Sequence, residues 1–154
     1  MNRREISILI AGVAAGVAAT VFAQQASSPA PLASAVYAWD SFPVEKTAVG
    51  ERRAVFDGTS ATLDRLESHV TSLDVGKASH AAHRHPDEEL VLVREGVIEA
   101  TINGVAHLAP AGSVIFYASN DLHGMRNAGK TQASYFVVRW TSPGKEGPKP
   151  GGSR

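Results

Sequence analysis

Short segments in which apolar and polar residues alternate dominate the chain between residues 66 and 140. Residues 97–102 show the pattern clearly, because Ile98, Ala100 and Ile102 fall on one side of an extended chain and Glu99 falls on the other. Similar alternating or β-branched segments recur at residues 66–75, 89–93, 105–108, 113–117, 122–126 and 133–140. This spacing predicts about eight short strands, which is typical of an all-β sandwich or barrel.

Glycine, asparagine and proline mark the turns between these segments. Asn103 and Gly104 predict a two-residue hairpin turn, because both residue types tolerate positive φ. Residues 110–112 (Pro-Ala-Gly) predict a further turn. Residues 51–65 give no clear pattern, and we interpret residues 60–66 as either a short helical turn or a loop.

The first residues have the composition of an export signal. Arg3 and Arg4 precede the apolar residues 6–22, and Val21 and Ala23 are suitable for positions −3 and −1 of a cleavage site. We therefore expect a signal peptide over residues 1–23 and a periplasmic or secreted protein with no stable membrane span after cleavage. The paired arginines favour twin-arginine export, although the general secretory route and an uncleaved anchor are alternatives.

Composition defines the remaining organisation. Residues 24–35 are rich in Ser, Pro and Ala and predict a linker, residues 142–154 predict a disordered tail, and residues 36–141 form the expected folded domain. Fifteen basic residues balance fifteen acidic ones, so the chain lacks the basic excess of a nucleic-acid-binding protein. The chain contains no cysteine, so any metal ion would have nitrogen and oxygen ligands.

Two histidines and a glutamate stand at the start of an apolar segment. On an extended chain His83, His85 and Glu89 have the same parity and point to the same face. His123 lies on a later strand that a small barrel could bring opposite them. Imidazole and carboxylate groups suit a divalent transition metal, although an isolated His-x-His pair is often incidental. Polar groups within an otherwise apolar strand favour the metal hypothesis, because without partners they would be costly there.

The other candidate residues have weaker support. Parity places Glu88 on the opposite face from Glu89, although Glu88 becomes the alternative ligand if the register slips by one residue. His80 is likewise expected on the opposite face at the surface, His107 is expected to be external, and His69 has no partner in the sequence. Arg139 could bind a carboxylate in the interior, but its neighbours do not indicate its direction.

The histidine segment resembles the first motif of the cupin family. Gly76, His83, His85, Glu89 and Gly96 fall at the positions of that motif, with one residue more than usual after the first glycine. The second motif is represented by Gly112, Ala118, Asn120, His123 and Asn127. Ala118 replaces the usual proline and Asn120 replaces the usual glycine, and asparagine also adopts the left-handed conformation. A spacer of 15 residues separates Gly96 from Gly112, as in small single-domain cupins.

This resemblance implies an antiparallel double-stranded β-helix, the jelly-roll barrel. It further implies that His83, His85, Glu89 and His123 bind one divalent transition metal, whether iron, manganese, copper, nickel or zinc. Four protein ligands would leave positions for a small-molecule substrate or ligand. Cupins include dioxygenases, decarboxylases, isomerases and non-catalytic binders, so the family does not name the reaction. Oxygenase-type chemistry is our first expectation, a non-catalytic binding protein is the alternative, and pairing of exposed sheet edges suggests a homodimer.

Overall fold

The computed structural model describes residues 30–144, so the predicted signal peptide, residues 24–29 of the predicted linker and residues 145–154 of the predicted tail lie outside the described part of the chain. Leu32, within the predicted linker, donates its backbone N–H to the Thr59 carbonyl at 2.8 Å. The described residues contain no helix that is long and apolar enough to cross a membrane.

Nine antiparallel strands and one short 3-10 helix, Trp39–Ser41, make up the regular structure of the described residues. The strands are β1 (Val44–Thr47), β2 (Gly50–Gly58), β3 (Arg65–Leu73), β4 (Glu88–Glu95), β5 (Val97–Ile102), β6 (Val105–Pro110), β7 (Val114–Tyr117), β8 (His123–Asn127) and β9 (Ala133–Thr141). They form a six-stranded sheet in the order β1-β2-β3-β9-β4-β7 and a three-stranded sheet in the order β6-β5-β8. This is the predicted antiparallel jelly-roll barrel.

The inner faces of the two sheets supply the apolar core. Strand β5 contributes Ile98 and Ala100, which are fully buried, as their alternation predicted. Strand β4 contributes Val91 and Val93 on the same principle. Glu89 has the same parity as these valines, so the pleat of β4 turns its carboxylate inward as well. The same alternation that places the valines in the core therefore places the Glu89 carboxylate in the interior.

Two strands are missing from the sequence prediction. Residues 51–65, which showed no clear pattern, contain most of β2, and β1 precedes it. The register of β2 against β3 shifts between Ala54 and Phe56, which is a β-bulge that interrupts the two-residue period. Residues 60–64 form a loop, in which the Ser60 hydroxyl oxygen accepts the N–H of Leu63 at 3.0 Å. The loop interpretation is therefore correct for residues 60–64, the helical one is wrong, and residues 65 and 66 already belong to β3.

The predicted turn residues have the backbone that their types favour. Asn103 and Gly104 have φ values of 49° and 87°, which are those of a two-residue hairpin turn. Asn120 has φ 63°, so asparagine takes the left-handed conformation where the family pattern has glycine. Its N–H donates to the His85 carbonyl at 2.8 Å. The departure from the second motif thus preserves the turn that leads into β8.

Asn127, at the end of the second motif, connects backbone segments. Its side chain is completely buried, and its amide nitrogen donates to the carbonyls of Leu73 at 2.9 Å and Thr131 at 2.8 Å. Its amide oxygen accepts the N–H of Gly129 at 2.9 Å. Asn127 therefore has a backbone-bonding role, since all these hydrogen bonds end on main-chain groups.

Two glycines with left-handed backbone provide a matched test of packing. Gly96 has φ 78° and Gly112 has φ 86°, so alanine is strained by about 1–2 kcal/mol at either position. A Cβ at Gly96 would lie 2.7 Å from the Ala133 Cβ, whereas no described atom lies within 4 Å of one at Gly112. We expect Gly96→Ala to lower the free energy of unfolding by about 1–3 kcal/mol more than Gly112→Ala in urea titrations. Equal losses of unfolding free energy in the two variants would show that the contact between residue 96 and Ala133 relaxes without strain.

Candidate metal centre

Three histidines from different segments meet inside the barrel. His83 lies in the loop before β4, His85 follows it in the same loop, and His123 begins β8. One ring nitrogen from each lies within 4.8 Å of the other two. His83 and His123 face each other as an antiparallel bridge, with backbone N–H to carbonyl distances of 2.9 and 3.0 Å in the two directions. This bridge holds the loop against β8 and brings the three rings together.

Backbone carbonyls set the orientation of two of the rings. His85 Nδ1 lies 3.0 Å from the Asp87 carbonyl oxygen, and His123 Nδ1 lies 2.8 Å from the Asp121 carbonyl oxygen. Because a carbonyl oxygen only accepts, each Nδ1 carries the proton and each Nε2 keeps its lone pair. A metal-binding histidine commonly has this arrangement, with its second nitrogen donating to a carbonyl.

The nitrogens that face one another have no hydrogen-bond partner. Among the described residues, His83 Nδ1, His85 Nε2 and His123 Nε2 are buried and make no hydrogen bond. Buried polar atoms without a partner are uncommon in folded proteins, because losing water without replacement is costly. Three such nitrogens at one place fit a divalent transition metal, which needs lone pairs from neutral imidazoles.

Glu89 lies at the edge of this group. Only 6% of the residue is exposed, and its Oε2 lies 3.3 Å from His85 Nε2 and 3.9 Å from Arg139 Nε. Burial acts to raise the pKa of Glu89, but the close contact with the His85 ring and the neighbouring Arg139 outweigh it and hold the pKa below its usual value. The carboxylate is therefore ionised at neutral pH and beside the imidazole group.

His83 and His123 are held in the neutral form. Burial is the largest cause that lowers the pKa of His83, to about 4, and the neighbouring imidazoles of His80, His123 and His85 lower it further. Burial also lowers the pKa of His123. The Tyr117 ring stacks on His123 with a centroid distance of 4.2 Å and an interplanar angle of 17°. Neutral, immobilised imidazoles are the form in which histidine donates a lone pair.

Strand β9 fixes the loop that carries His85. Arg139 forms an ion pair with Asp87, and the Thr141 hydroxyl donates to the same carboxylate at 3.0 Å. The adjacent Trp140 donates its indole N–H to Glu88 Oε2 at 2.8 Å. Glu88 therefore faces away from Glu89, as strand parity predicted.

Of the three histidines, His83 lines a cavity of about 370 Å³, which lies at the small end of the range for ligand pockets. His83, Glu89 and Arg139 line one part of it. Its other polar lining comes mainly from β2 and β3 and includes Arg52, Asp57, Arg65, Glu67 and His69. The cavity is thus polar and charged, although the barrel around it has an apolar core.

Two histidines differ from the sequence prediction. His80 was expected on the face opposite to His83, and this is wrong, because its ring centroid lies 4.2 Å from that of His83 and it lines the same cavity. Residues 79–81 bend instead of continuing as extended chain, so parity does not apply there. His69, for which the sequence indicated no partner, has Nδ1 at 2.7 Å from Glu67 Oε1.

Comparisons with known proteins agree with the fold. A family model described as the cupin domain matches residues 69–139. An RmlC-like cupin from Shewanella frigidimarina NCIMB 400 is 18% identical with a TM-score of 0.58, over 72% of this chain and 95% of that chain. A predicted oxalate decarboxylase from Thermotoga maritima is 18% identical with a TM-score of 0.57, over 70% of this chain and 99% of that chain. No curated protein matches significantly.

A further solved structure extends the range of activities found on this fold. A cupin-superfamily sugar phosphate isomerase from Silicibacter pomeroyi DSS-3 is 18% identical with a TM-score of 0.57, over 71% of this chain and 77% of that chain. At this identity the likeness concerns the fold and does not transfer an activity.

The sheet order and the polar interior define a jelly-roll β-barrel protein with an internal site. With the domain match and the two motifs, residues 69–139 form a cupin domain.

Two neighbouring histidines test which rings form the centre. His123→Asn removes one of the three converging nitrogens, whereas His80→Asn changes an exposed ring outside that group. We expect His123→Asn to weaken Zn²⁺ affinity by at least about 100-fold, since losing even an outer hydrogen bond commonly weakens a site 10–100-fold. His80→Asn should stay within about threefold of wild type on the same scale. Competition with a chromogenic chelator measures both, and equal weakening would contradict the ligand set.

Proposed function

We propose that this protein is a metal-dependent cupin that acts on a small organic molecule. The observation that carries the proposal is the convergence of three unpartnered imidazole nitrogens beside an ionised Glu89, at the edge of a polar cavity that His83 and Glu89 line. His83, His85, Glu89 and His123 would hold one divalent transition metal. Iron, manganese, copper, nickel and zinc all accept nitrogen and oxygen donors of this kind.

The chain's own groups prepare the site. The carbonyls of Asp87 and Asp121 hold the rings of His85 and His123 in the tautomer that exposes Nε2. Arg139 pairs with Asp87 and lies 3.9 Å from Glu89, so it neutralises part of the buried negative charge. A divalent ion at this place would supply Lewis acidity and, if it were iron or copper, the ability to react with dioxygen.

The cavity supports a compact polar ligand. Its volume of about 370 Å³ and its lining of arginine, carboxylate and histidine side chains favour a small oxygen-rich molecule over a large apolar one. Four protein ligands on an ion that prefers five or six also leave room for a ligand that binds through two oxygens. Solved cupins of similar fold include a predicted oxalate decarboxylase and a sugar phosphate isomerase, and oxalate and sugar phosphates are small, oxygen-rich molecules.

Within this proposal we favour oxygenase-type chemistry. Three imidazoles and one carboxylate leave neighbouring positions free, and an oxygenase needs room for an electron-rich organic ligand beside dioxygen. A non-catalytic binding protein would need the same pocket but would not consume its ligand. The difference between the two lies in turnover.

Metal content and oxygen uptake test the proposal together. We expect about one transition-metal ion per chain by plasma mass spectrometry of the protein from its native host, as a site of this type binds one ion. The iron- or copper-loaded protein should consume oxygen with 2-oxo acids or hydroxyketones, and His123→Asn should not. Metal binding without consumption of any such compound would favour the binding protein. Absence of metal from the native protein would contradict the whole proposal.

A further inference from the structure

A second polar cluster faces the same cavity from strand β3. Glu67 and His69 are two residues apart on this strand, so they share one face. Glu67 pairs in register with Arg139 on β9, and Arg139 pairs in register with Glu89 on β4. Neighbouring strands lie about 4.8 Å apart, which places the Glu67 backbone about 10 Å from that of Glu89. The cluster and Glu89 therefore lie side by side on the face of one sheet that lines the cavity, at a spacing that a small ligand can span.

The carboxylate of Glu67 orients the His69 ring. His69 Nδ1 lies 2.7 Å from Glu67 Oε1, and Arg52 contacts the same oxygen at 3.2 Å. Because the carboxylate accepts, Nδ1 carries the proton and Nε2 keeps its lone pair. No described residue forms a hydrogen bond with Nε2. This arrangement is that of a general base whose second nitrogen is held by a carboxylate.

Glu67 has a further unsatisfied atom. The residue is 4% exposed, and its Oε2 is buried with no hydrogen-bond partner among the described residues. A buried carboxylate oxygen without a donor is uncommon, and Glu67 therefore retains the capacity to accept a further hydrogen bond.

We propose that His69 is the general base for a ligand bound at the metal centre, and that this ligand is a small 2-oxo acid or hydroxyketone. The inference rests on the proposed function and names its substrate class. Such compounds bind metals through two adjacent oxygens and carry a C–H bond next to a carbonyl. Their size fits the cavity that His69, His83 and Glu89 line.

The step is a proton transfer that needs no further reactant. His69 Nε2 takes the proton from the carbon next to the carbonyl, so the C–H bond breaks and an N–H bond forms. The electron pair of that bond becomes the carbon–carbon double bond of the enolate, and the carbonyl π pair moves to oxygen. Glu67 stabilises the imidazolium that forms. Return of a proton from Nε2 to carbon restores the starting compound.

His80 is less suited than His69 to the role of general base. Its ring contacts His83 at a centroid distance of 4.2 Å and its Nδ1 pairs with the neighbouring Ala81 carbonyl at 3.0 Å. Glu67 instead gives His69 a buried carboxylate partner at 2.7 Å, which holds the orientation of the ring. His69 therefore combines orientation, a free nitrogen and access to the cavity.

Hydrogen–deuterium exchange into pyruvate tests the assignment. The full-length Zn²⁺-loaded protein is incubated with pyruvate in D₂O, and loss of the methyl signal is followed by proton NMR against the same Zn²⁺ concentration without protein. We expect wild type to accelerate exchange and His69→Asn to reduce it by at least about 100-fold, as for removal of a general base. Asn keeps a donor for Glu67 but lacks Nε2, and His69→Gln is the second variant.

Two further readouts separate a base from a structural residue. Zn²⁺ content and the pyruvate Kd from calorimetry should stay within about threefold in His69→Asn, because neither depends on Nε2. His107→Asn, an exposed histidine on β6, should exchange like wild type. Unchanged exchange in His69→Asn, no exchange by zinc-loaded wild type, or zinc loss in His69→Asn would overturn the role of His69 alone. Failure of wild type to bind zinc would overturn the proposed function with it.

Discussion

The reciprocal backbone pairing of His83 with His123 is the contact on which the candidate site depends. Its two hydrogen bonds, at 2.9 and 3.0 Å, attach an irregular loop to the first residue of β8. The loop could otherwise lie in many positions, and ordering it has a substantial entropic cost. The pairing keeps three imidazoles close together while the barrel supplies only His123 from a regular strand. A jelly-roll barrel can therefore carry this candidate metal centre with no change in its two sheets.

A polar cavity inside an apolar barrel requires that most buried charges have partners. Arg139 with Asp87 and Arg52 with Glu67 meet this requirement, and Arg139, Arg52 and Glu67 lie on strands that line the cavity. Among the described residues, four of the nine buried side-chain atoms without a hydrogen-bond partner are the three converging histidine nitrogens and Glu67 Oε2. These are the places where a metal ion and a ligand would complete the interior.

Much of this organisation could be predicted from residue patterns. Two-residue alternation located β5 and the inward direction of Glu89, and Asn103-Gly104 located a hairpin turn. The β-bulge at Ala54–Phe56 concealed β2, because the extra residue of a bulge interrupts the two-residue period of apolar side chains. The bend at residues 79–81 also interrupts the two-residue alternation, so the sequence prediction placed His80 on the wrong face. The ligand set itself came from family resemblance, and the export signal stays a prediction because it lies outside the described residues.

The Glu67–His69 pair shows what a sequence pattern leaves open. Both residues were on a predicted strand, and their equal parity could have suggested that they touch. Nothing in the pattern indicated that this face lines a cavity, since that follows from the pairing of β3 with β9 across the sheet.

Anomalous X-ray diffraction from Zn²⁺-loaded crystals tests the central claim most directly. The account predicts one peak about 2.0–2.3 Å from nitrogens of His83, His85 and His123 and from the Glu89 carboxylate. A peak elsewhere, or none at these residues, would contradict it.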